Sequence, residues 1–294
     1  MTAEYRQIRV TPTAGALGAE IASVDLARPL DAGAFAEIKR AFHDHLVLMF
    51  RDQTLTPEQH LDFSRRFGPL TRSPYIRHMA EYPDIIAVLK EADEVRISTF
   101  GNAWHSDFSF LEEPPMGSLL YAREVPSHGG DTLFANMYAA YEALSPGLRA
   151  MIDPLGAVHT GKPYGVQGIP QDLRVSRSIG IERNRPEADR ETVHPVVRVH
   201  PDTGRKALFV NAIYTTRFEH MTPSESRPLL DFLFAHATQP EFTCRLRWAV
   251  GSLAIWDNRA AMHYAINDYD GQRRLMHRTT IAGERPAGPR GTAA

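Results

Sequence analysis

The string WHSDFSF places the imidazole of His105 and the carboxylate of Asp107 two positions apart. On a β-strand, residues so spaced leave the same face of the backbone and reach one metal ion. Far along the chain, WDNRAAMHYAINDYDGQRRLMHRTT carries a further imidazole, His263, followed by Arg274 and Arg278. Two imidazoles and one carboxylate on one side of a metal leave three coordination positions open. That is the pattern of non-haem Fe(II) oxygenases, whereas structural zinc is closed by four protein ligands. The residues point to an oxygen-activating iron enzyme. Each also has an ordinary alternative, because a histidine bonded to a nearby aspartate is commoner than a metal site and the chain holds 13 histidines.

Bringing these side chains together takes a scaffold, and the composition allows one. At 294 residues and 43% hydrophobic content the chain can bury a large core, read here as one elaborated domain over 1–294. Lys+Arg at 33 against Asp+Glu at 35 leaves a net charge of −2, without the basic stripe that nucleic-acid binding requires. Cys244 is the single cysteine, so no intramolecular disulfide can form, and MTAEYRQIRV lacks the apolar core of a secretory signal. No apolar run approaches the ~20 residues that cross a bilayer. A cytoplasmic protein with no membrane partner is expected.

Helix signals stand at Asp31–His45, where Phe35, Ile38 and Phe42 recur at helical spacing. They stand also at Thr56-Pro57-Glu58-Gln59 and Thr222-Pro223-Ser224-Glu225, where a hydroxyl cap, a proline and an acid or amide three positions on announce helix starts, and at Ser145-Pro146. Elsewhere β signals dominate: LVLMF at 46–50, SLLYAREV at 118–125, the hairpin HPVVRVH–PDTG–KALFVN, then CRLRWAV, SLAIWD and RRLMHRTTIAG. Mainly β with flanking helices, in a sandwich or jelly roll, is the expected class. The stretch at about 160–190 lacks a sustained period and reads as an active-site lid; 285–294 reads as a flexible tail.

Several of these strings occur together and in order: GALGAEIASVDL, FGPL, the HSD element, EVPSHGGDTLFANMYAAYEAL, HPVVRVHPDTGRKALFVN and the distal WDNR…H…R…R block. With them the chain resembles the TauD/TfdA family of Fe(II)- and 2-oxoglutarate-dependent dioxygenases, which includes taurine dioxygenase, aryloxyalkanoate dioxygenases and alkylsulfatases. The resemblance implies a double-stranded β-helix (jelly roll) core. It implies His105, Asp107 and His263 as iron ligands, and Thr132 with Arg274 as the grip on the distal carboxylate of 2-oxoglutarate. It implies Arg278 as the partner of an anionic primary substrate. The implied reaction consumes O2 and 2-oxoglutarate, yields succinate and CO2, and hydroxylates a C–H next to a heteroatom in an aryloxyalkanoate, sulfonate or sulfate ester. A homo-oligomer, dimer or tetramer, is implied as well.

Paired hydrogen bonds from a guanidinium to a planar carboxylate make the role of Arg274 physically sensible. The bland alternative for Arg278 is a cation that balances an internal carboxylate. Tyr75 and Phe108 are candidate substrate-pocket residues, with Phe110, Tyr164 and Phe209 near them in type, although aromatics in β proteins more often pack the core. Trp104 and Trp256 read as packing and His128 as a loop residue. Taurine-using relatives carry a His-Tyr pair after FGxL, where this chain has Ser73 and Pro74, so taurine dioxygenase proper is the weaker alternative. Two readings from other classes are a zinc hydrolase on the same ligands, for which no HExxH helix is present, and a metal-free binding module.

Overall fold

Hydroxyl and carboxylate caps start the helices where the sequence places them. Thr56 accepts from the Gln59 amide while the Gln59 side chain returns a bond to the Thr56 amide, and Thr222 with Glu225 repeats the arrangement. Asp31 and Ser145 cap two more. The computed structural model describes residues 4–166 and 177–289. Along them run β1 (Arg9–Pro12), β2 (Ala19–Ala22), α1 (Ala32–His45), β3 (Val47–Phe50), α2 (Pro57–Arg65), β4 (Ile86–Lys90), β5 (Gly117–Glu124), β6 (Thr132–Asn136), α3 (Met137–Glu142), α4 (Pro146–Ile152), β7 (Gly156–His159), β8 (Thr192–Pro195), β9 (Val197–Val199), β10 (Lys206–Leu208), β11 (Thr215–Phe218), α5 (Pro223–Ala237), β12 (Thr243–Leu246), β13 (Leu253–Asp257), β14 (Ala261–Ala265) and β15 (Arg274–Ile281).

The largest sheet is ordered β1-β2-β3-β13-β5-β15-β4, and its β2–β3 pair is parallel. Its central strands are buried on both faces, and alternation sorts their side chains. Leu48, Phe50, Leu119, Tyr121, Leu253 and Ile255 join Ile38 and Phe42 of α1 and Phe63 of α2 in one apolar cluster. The intervening Val47, Met49, Leu120, Ala122, Ala254 and Trp256 face the other way, into a cluster shared with Phe134 and Met262 of the three-stranded sheet β12-β6-β14. The fold is therefore mainly β, with α1 and α2 laid on the outside of the large sheet. Between the two sheets lies the space in which the chemistry-bearing residues meet. The predicted hairpin forms as β9 and β10, with Ala207 opposite Arg198.

Three expectations need correction or limits. His105 and Asp107 do not lie on a regular strand: His105 makes an isolated antiparallel bridge to His263, and Phe108 takes a left-handed φ of 45°, which ends any extended run at the aspartate. The segment beginning at Arg285 is not wholly a free tail, since the Ala287 carbonyl accepts from the Val199 amide and Pro286 is buried; 290–294 lie outside the described residues. Of the 160–190 stretch, 167–176 also lie outside them. The remainder is tied down by an Ile76–Ile181 bridge and by bonds from the Glu182 amide to the Tyr75 carbonyl (2.8 Å) and from the Arg185 amide to the Tyr164 carbonyl (3.0 Å). Among the described residues no helix is long and apolar enough to cross a membrane.

Candidate metal centre and anion pocket

The bridge that replaces the predicted strand is what joins the two distant histidines. His105 N–H donates to the His263 carbonyl at 3.1 Å and His263 N–H returns a bond of 2.8 Å, so β14 and the loop before Asp107 are locked in register. Their ring centroids stand 4.2 Å apart. One donor atom each from His105, Asp107 and His263 falls within 4.8 Å of the others, and all three residues are buried. Both imidazole Nε2 atoms approach the same carboxylate oxygen, Asp107 Oδ1, at 3.6 and 3.7 Å.

Protonation states suit a cation. The Nδ1 of His105 lies 2.7 Å from the Ala103 carbonyl, a pure acceptor, so Nδ1 carries a proton and Nε2 is the nitrogen turned toward Asp107. Burial, reinforced by the neighbouring His105, pushes His263 well below the ordinary imidazole range and keeps it neutral. Burial alone would raise Asp107, but the charge of Arg278, followed by His263 and His105, overrides it and holds the carboxyl well below the usual carboxylate range. Two imidazoles and an ionised carboxylate form a donor set of the kind metals bind.

Arg278 lines a cavity with His105 and His263 and is paired with Asp107. Its Nη2 lies 2.5 Å from Asp107 Oδ2 and 2.9 Å from Ser118 Oγ, and that hydroxyl donates to the same Oδ2 at 3.0 Å. The contact formed is the internal balance of a carboxylate. It leaves Oδ1, the atom that faces both imidazoles, without a competing donor. Asn258, in the WDNR string, braces the other side: its Oδ1 accepts from Trp256 Nε1 at 2.9 Å and from the Asp107 amide at 3.4 Å. Trp256 in turn packs its ring 4.9 Å from that of His263. The remaining two residues of the string are architectural, since Arg259 grips both oxygens of Asp257 at 2.8 and 2.7 Å and fixes the turn into β14.

Arg274 presents the opposite case. It is 4% exposed, its Nε has no hydrogen-bond partner, and among the described residues no carboxylate pairs with it. Burial lowers its affinity for a proton, yet a guanidinium stays charged. A buried cation without an anion is costly, so the site is incomplete until an anion enters. Arg274 and Arg278 line one cavity with Thr132, His105, His263, Leu120 and Ala265, as their even spacing on β15 requires. Thr132 Oγ1 accepts from Trp248 Nε1 at 3.0 Å, which leaves the threonine proton free to donate, and the Arg274 guanidinium lies 5.9 Å from the centre of the Trp248 ring. Two glycines deliver that threonine. Gly129 and Gly130 take φ of 76° and 70°, and a Cβ at Gly129 would stand 2.5 Å from Asp268 Oδ1.

A second cavity adjoins His105. It is lined by Phe100, Tyr164, Ile181, Arg183, Ile213 and Tyr214 among others. The predicted pocket residues Tyr75 and Phe108 are buried in an aromatic cluster beside it: Tyr75 stacks on Tyr164 at 5.0 Å, Phe108 lies 5.9 Å from Tyr164, and Phe110 is 5.1 Å from Tyr214. Phe209 is elsewhere, stacked on His159. Trp104 packs on Tyr264 and His128 is an exposed loop residue, both as read. Sequence reasoning missed Trp248, Ser118, Asn258 and Tyr214. Only the second tryptophan of the chain and the asparagine of WDNR offered any signal.

Comparison with known proteins agrees with this geometry. The family model described as "Taurine catabolism dioxygenase TauD, TfdA family" matches residues 9–280. An alpha-ketoglutarate-dependent sulfate ester dioxygenase of Pseudomonas putida is 38% identical over 287 residues, 96% of this chain and 92% of that protein. An alkylsulfatase of Acinetobacter baylyi is 34% identical, over 97% of this chain and 88% of its own length. Among solved structures, a taurine dioxygenase from Burkholderia xenovorans superposes with a TM-score of 0.80 at 36% identity, covering 97% of this chain and 94% of that one.

Proposed function

Since the chain belongs to the TauD, TfdA family and is a 2-oxoglutarate-dependent dioxygenase using Fe(II) and O2, we propose that it hydroxylates a carbon next to a heteroatom in a small organic anion, a sulfate ester, sulfonate or aryloxyalkanoate. His105, Asp107 and His263 are the proposed iron ligands, and their fit rests on the clustering of one donor atom from each and on the ionised carboxylate described above. Bound Fe(II) supplies the reduction of O2 coupled to oxidation of the keto acid. The observation that carries the reading is the unpaired buried guanidinium of Arg274 beside this triad, which with the Thr132 hydroxyl receives the distal carboxylate of 2-oxoglutarate.

Each residue then has a physical task. Arg274 and Thr132 fix the keto acid at one end, so its reacting end is held next to His105 and His263. Arg278 and Ser118 hold Asp107 ionised and turned so that Oδ1 faces the imidazoles. The aromatic cluster of Tyr75, Phe108, Phe110, Tyr164 and Tyr214 excludes water from the space in which the C–H is attacked. In the overall reaction one oxygen atom of O2 goes to succinate, formed as CO2 leaves 2-oxoglutarate, and the other enters the substrate C–H bond. Where that carbon bears a sulfate ester oxygen, the hydroxylated product collapses to an aldehyde and free sulfate.

The two-sheet arrangement supports a double-stranded β-helix core in one domain spanning 1–294. The single cysteine supports a cytoplasmic setting, and the family reading supports a homo-oligomer. Anaerobic addition of Fe(II) and 2-oxoglutarate tests the reading: a visible charge-transfer band is expected, and zinc, which cannot give one, would leave the solution colourless. Absence of the band and of O2-dependent succinate formation over a panel of alkyl sulfates, sulfonates and aryloxyalkanoates would overturn it.

A further inference from the structure

Tyr164 and Tyr214 bring two hydroxyls to the cavity that adjoins His105, where the Tyr214 ring stands 6.3 Å from the imidazole. The hydroxyls meet at 3.3 Å, and among the described residues neither has a further partner. One contact spends one proton, so the pair keeps a second, and no carboxylate lines the cavity to accept it. Burial raises both phenols, Tyr164 to about 12, while the contact itself works to lower Tyr164 and to raise Tyr214. That is the pattern of Tyr214 donating, and the proton left over is then that of Tyr164. Each residue is only 4% exposed, so a donor left unpaired there is costly.

Neither ring is loosely held. Tyr214 N–H donates to Asn211 Oδ1 at 3.0 Å, and Asn211 Nδ2 donates to Ser109 Oγ at 2.8 Å. Tyr164 ends a short turn opened by Gly161, where a Cβ would stand 2.4 Å from the Phe110 ring. The cavity of these tyrosines and the cavity of Arg274 and Arg278 share Phe100, Gly101 and His105, so one molecule can extend through both. In the second of them Arg278 Nε is buried without a partner, which leaves Arg278 a donor for a substrate anion while its Nη2 is held by Asp107. With the anion there, the attacked carbon lies beside the triad and the rest of the substrate runs past His105 toward the tyrosines.

We propose that Tyr164, positioned by Tyr214, is a specificity-determining residue that donates its remaining hydrogen bond to an oxygen carried beyond the attacked carbon, on the side away from the substrate's anion. The inference rests on the dioxygenase reading of the same site. Of the three substrate classes, only an aryloxyalkanoate has an oxygen there, since its order is carboxylate, attacked carbon, ether oxygen, ring. In an alkyl sulfate the ester oxygen stands between anion and carbon, and in a sulfonate the heteroatom belongs to the anion. A plain alkyl chain on either would leave the Tyr164 proton unpaired, whereas the aryl ring covers Phe100, Ile181 and Ile213.

Phenoxyacetate and 3-phenylpropanoate are the probes, because they share anion, ring and length and differ only by an ether oxygen in place of a methylene. Each is titrated calorimetrically into protein loaded with Mn(II) and N-oxalylglycine, an unreactive analogue of the keto acid, so that binding is read apart from turnover. Wild type is expected to bind phenoxyacetate about 5-fold or more tighter, the scale of one hydrogen bond whose loss strands a buried donor. Tyr164→Phe should bring the two affinities to within a factor of about 2, and Tyr214→Phe should keep part of the preference. The Fe(II)–2-oxoglutarate band of each variant reports that the site is folded. Equal affinities in wild type, no binding of phenoxyacetate by wild type, or a preference that survives Tyr164→Phe would overturn the proposal. A wild-type protein that forms the band yet shows any of these loses this inference alone; one that forms no band loses the dioxygenase reading.

Discussion

Arg278 Nη2 and Asp107 Oδ2 are 2.5 Å apart and both residues are buried, so the arginine proposed to meet a substrate anion already pairs with the carboxylate proposed as a metal ligand. The pair keeps Asp107 ionised and oriented. Arg278→Gln is therefore expected to lower metal affinity by about 10–100-fold, the usual scale for losing a group that orients a ligand. Titration of Fe(II) or Mn(II) in the absence of any substrate measures this, and an unchanged metal affinity would confine Arg278 to substrate binding.

Arg274 lacks the anion that Arg278 has. Replacing it by methionine removes an uncompensated buried charge, so the protein without keto acid is expected to gain stability, on the order of 1–3 kcal/mol. The same variant should lose the rise in melting temperature that saturating 2-oxoglutarate gives wild type by mass action. Thermal melts with and without the keto acid read both effects, and a melting temperature still raised by 2-oxoglutarate would place its carboxylate elsewhere.

His60 supplies a pH dependence independent of the metal centre. Burial, followed by His277 and Arg123, pushes it down to about 3, and it sits beside Thr279 with 1% exposure. The folded value is below the unfolded one of ~6.5, so the unfolded chain takes up the proton first. The stability this neutral histidine contributes is complete above pH ~6.5 and is lost progressively as pH falls toward 3. Denaturant melts between those limits should show the decline, and His60→Gln should flatten it; a variant with an unaltered slope would rule the residue out.

How far the residues could be read in advance depended on what kind of bond each made. Thr56 and Thr222 announced their helices because a cap is local, written within four residues. Leu48 and Phe50 announced a strand because a short apolar run is local too. His105, Asp107 and His263 were legible as types, but their backbone was not: a two-bond bridge between positions so far apart, and the left-handed turn at Phe108, leave no periodic trace. For Arg278 the even spacing from Arg274 fixes a shared face and is silent on which carboxylate it meets there. The roles of Ser118, Trp248 and Asn258 were not legible for a related reason. Each includes a hydrogen bond to a residue distant in sequence, which the residue type alone does not advertise.

The doublet between His105 and His263 uses peptide groups only. Such groups are common to nineteen of the twenty amino acids in full, so the pitch of the two rings tolerates exchange of the side chains around them. Tyr164, Ile181 and Arg183 belong to a wall held by other threads. This molecule can thus be re-tailored for a new guest at one place while its furnace keeps its dimensions at the other.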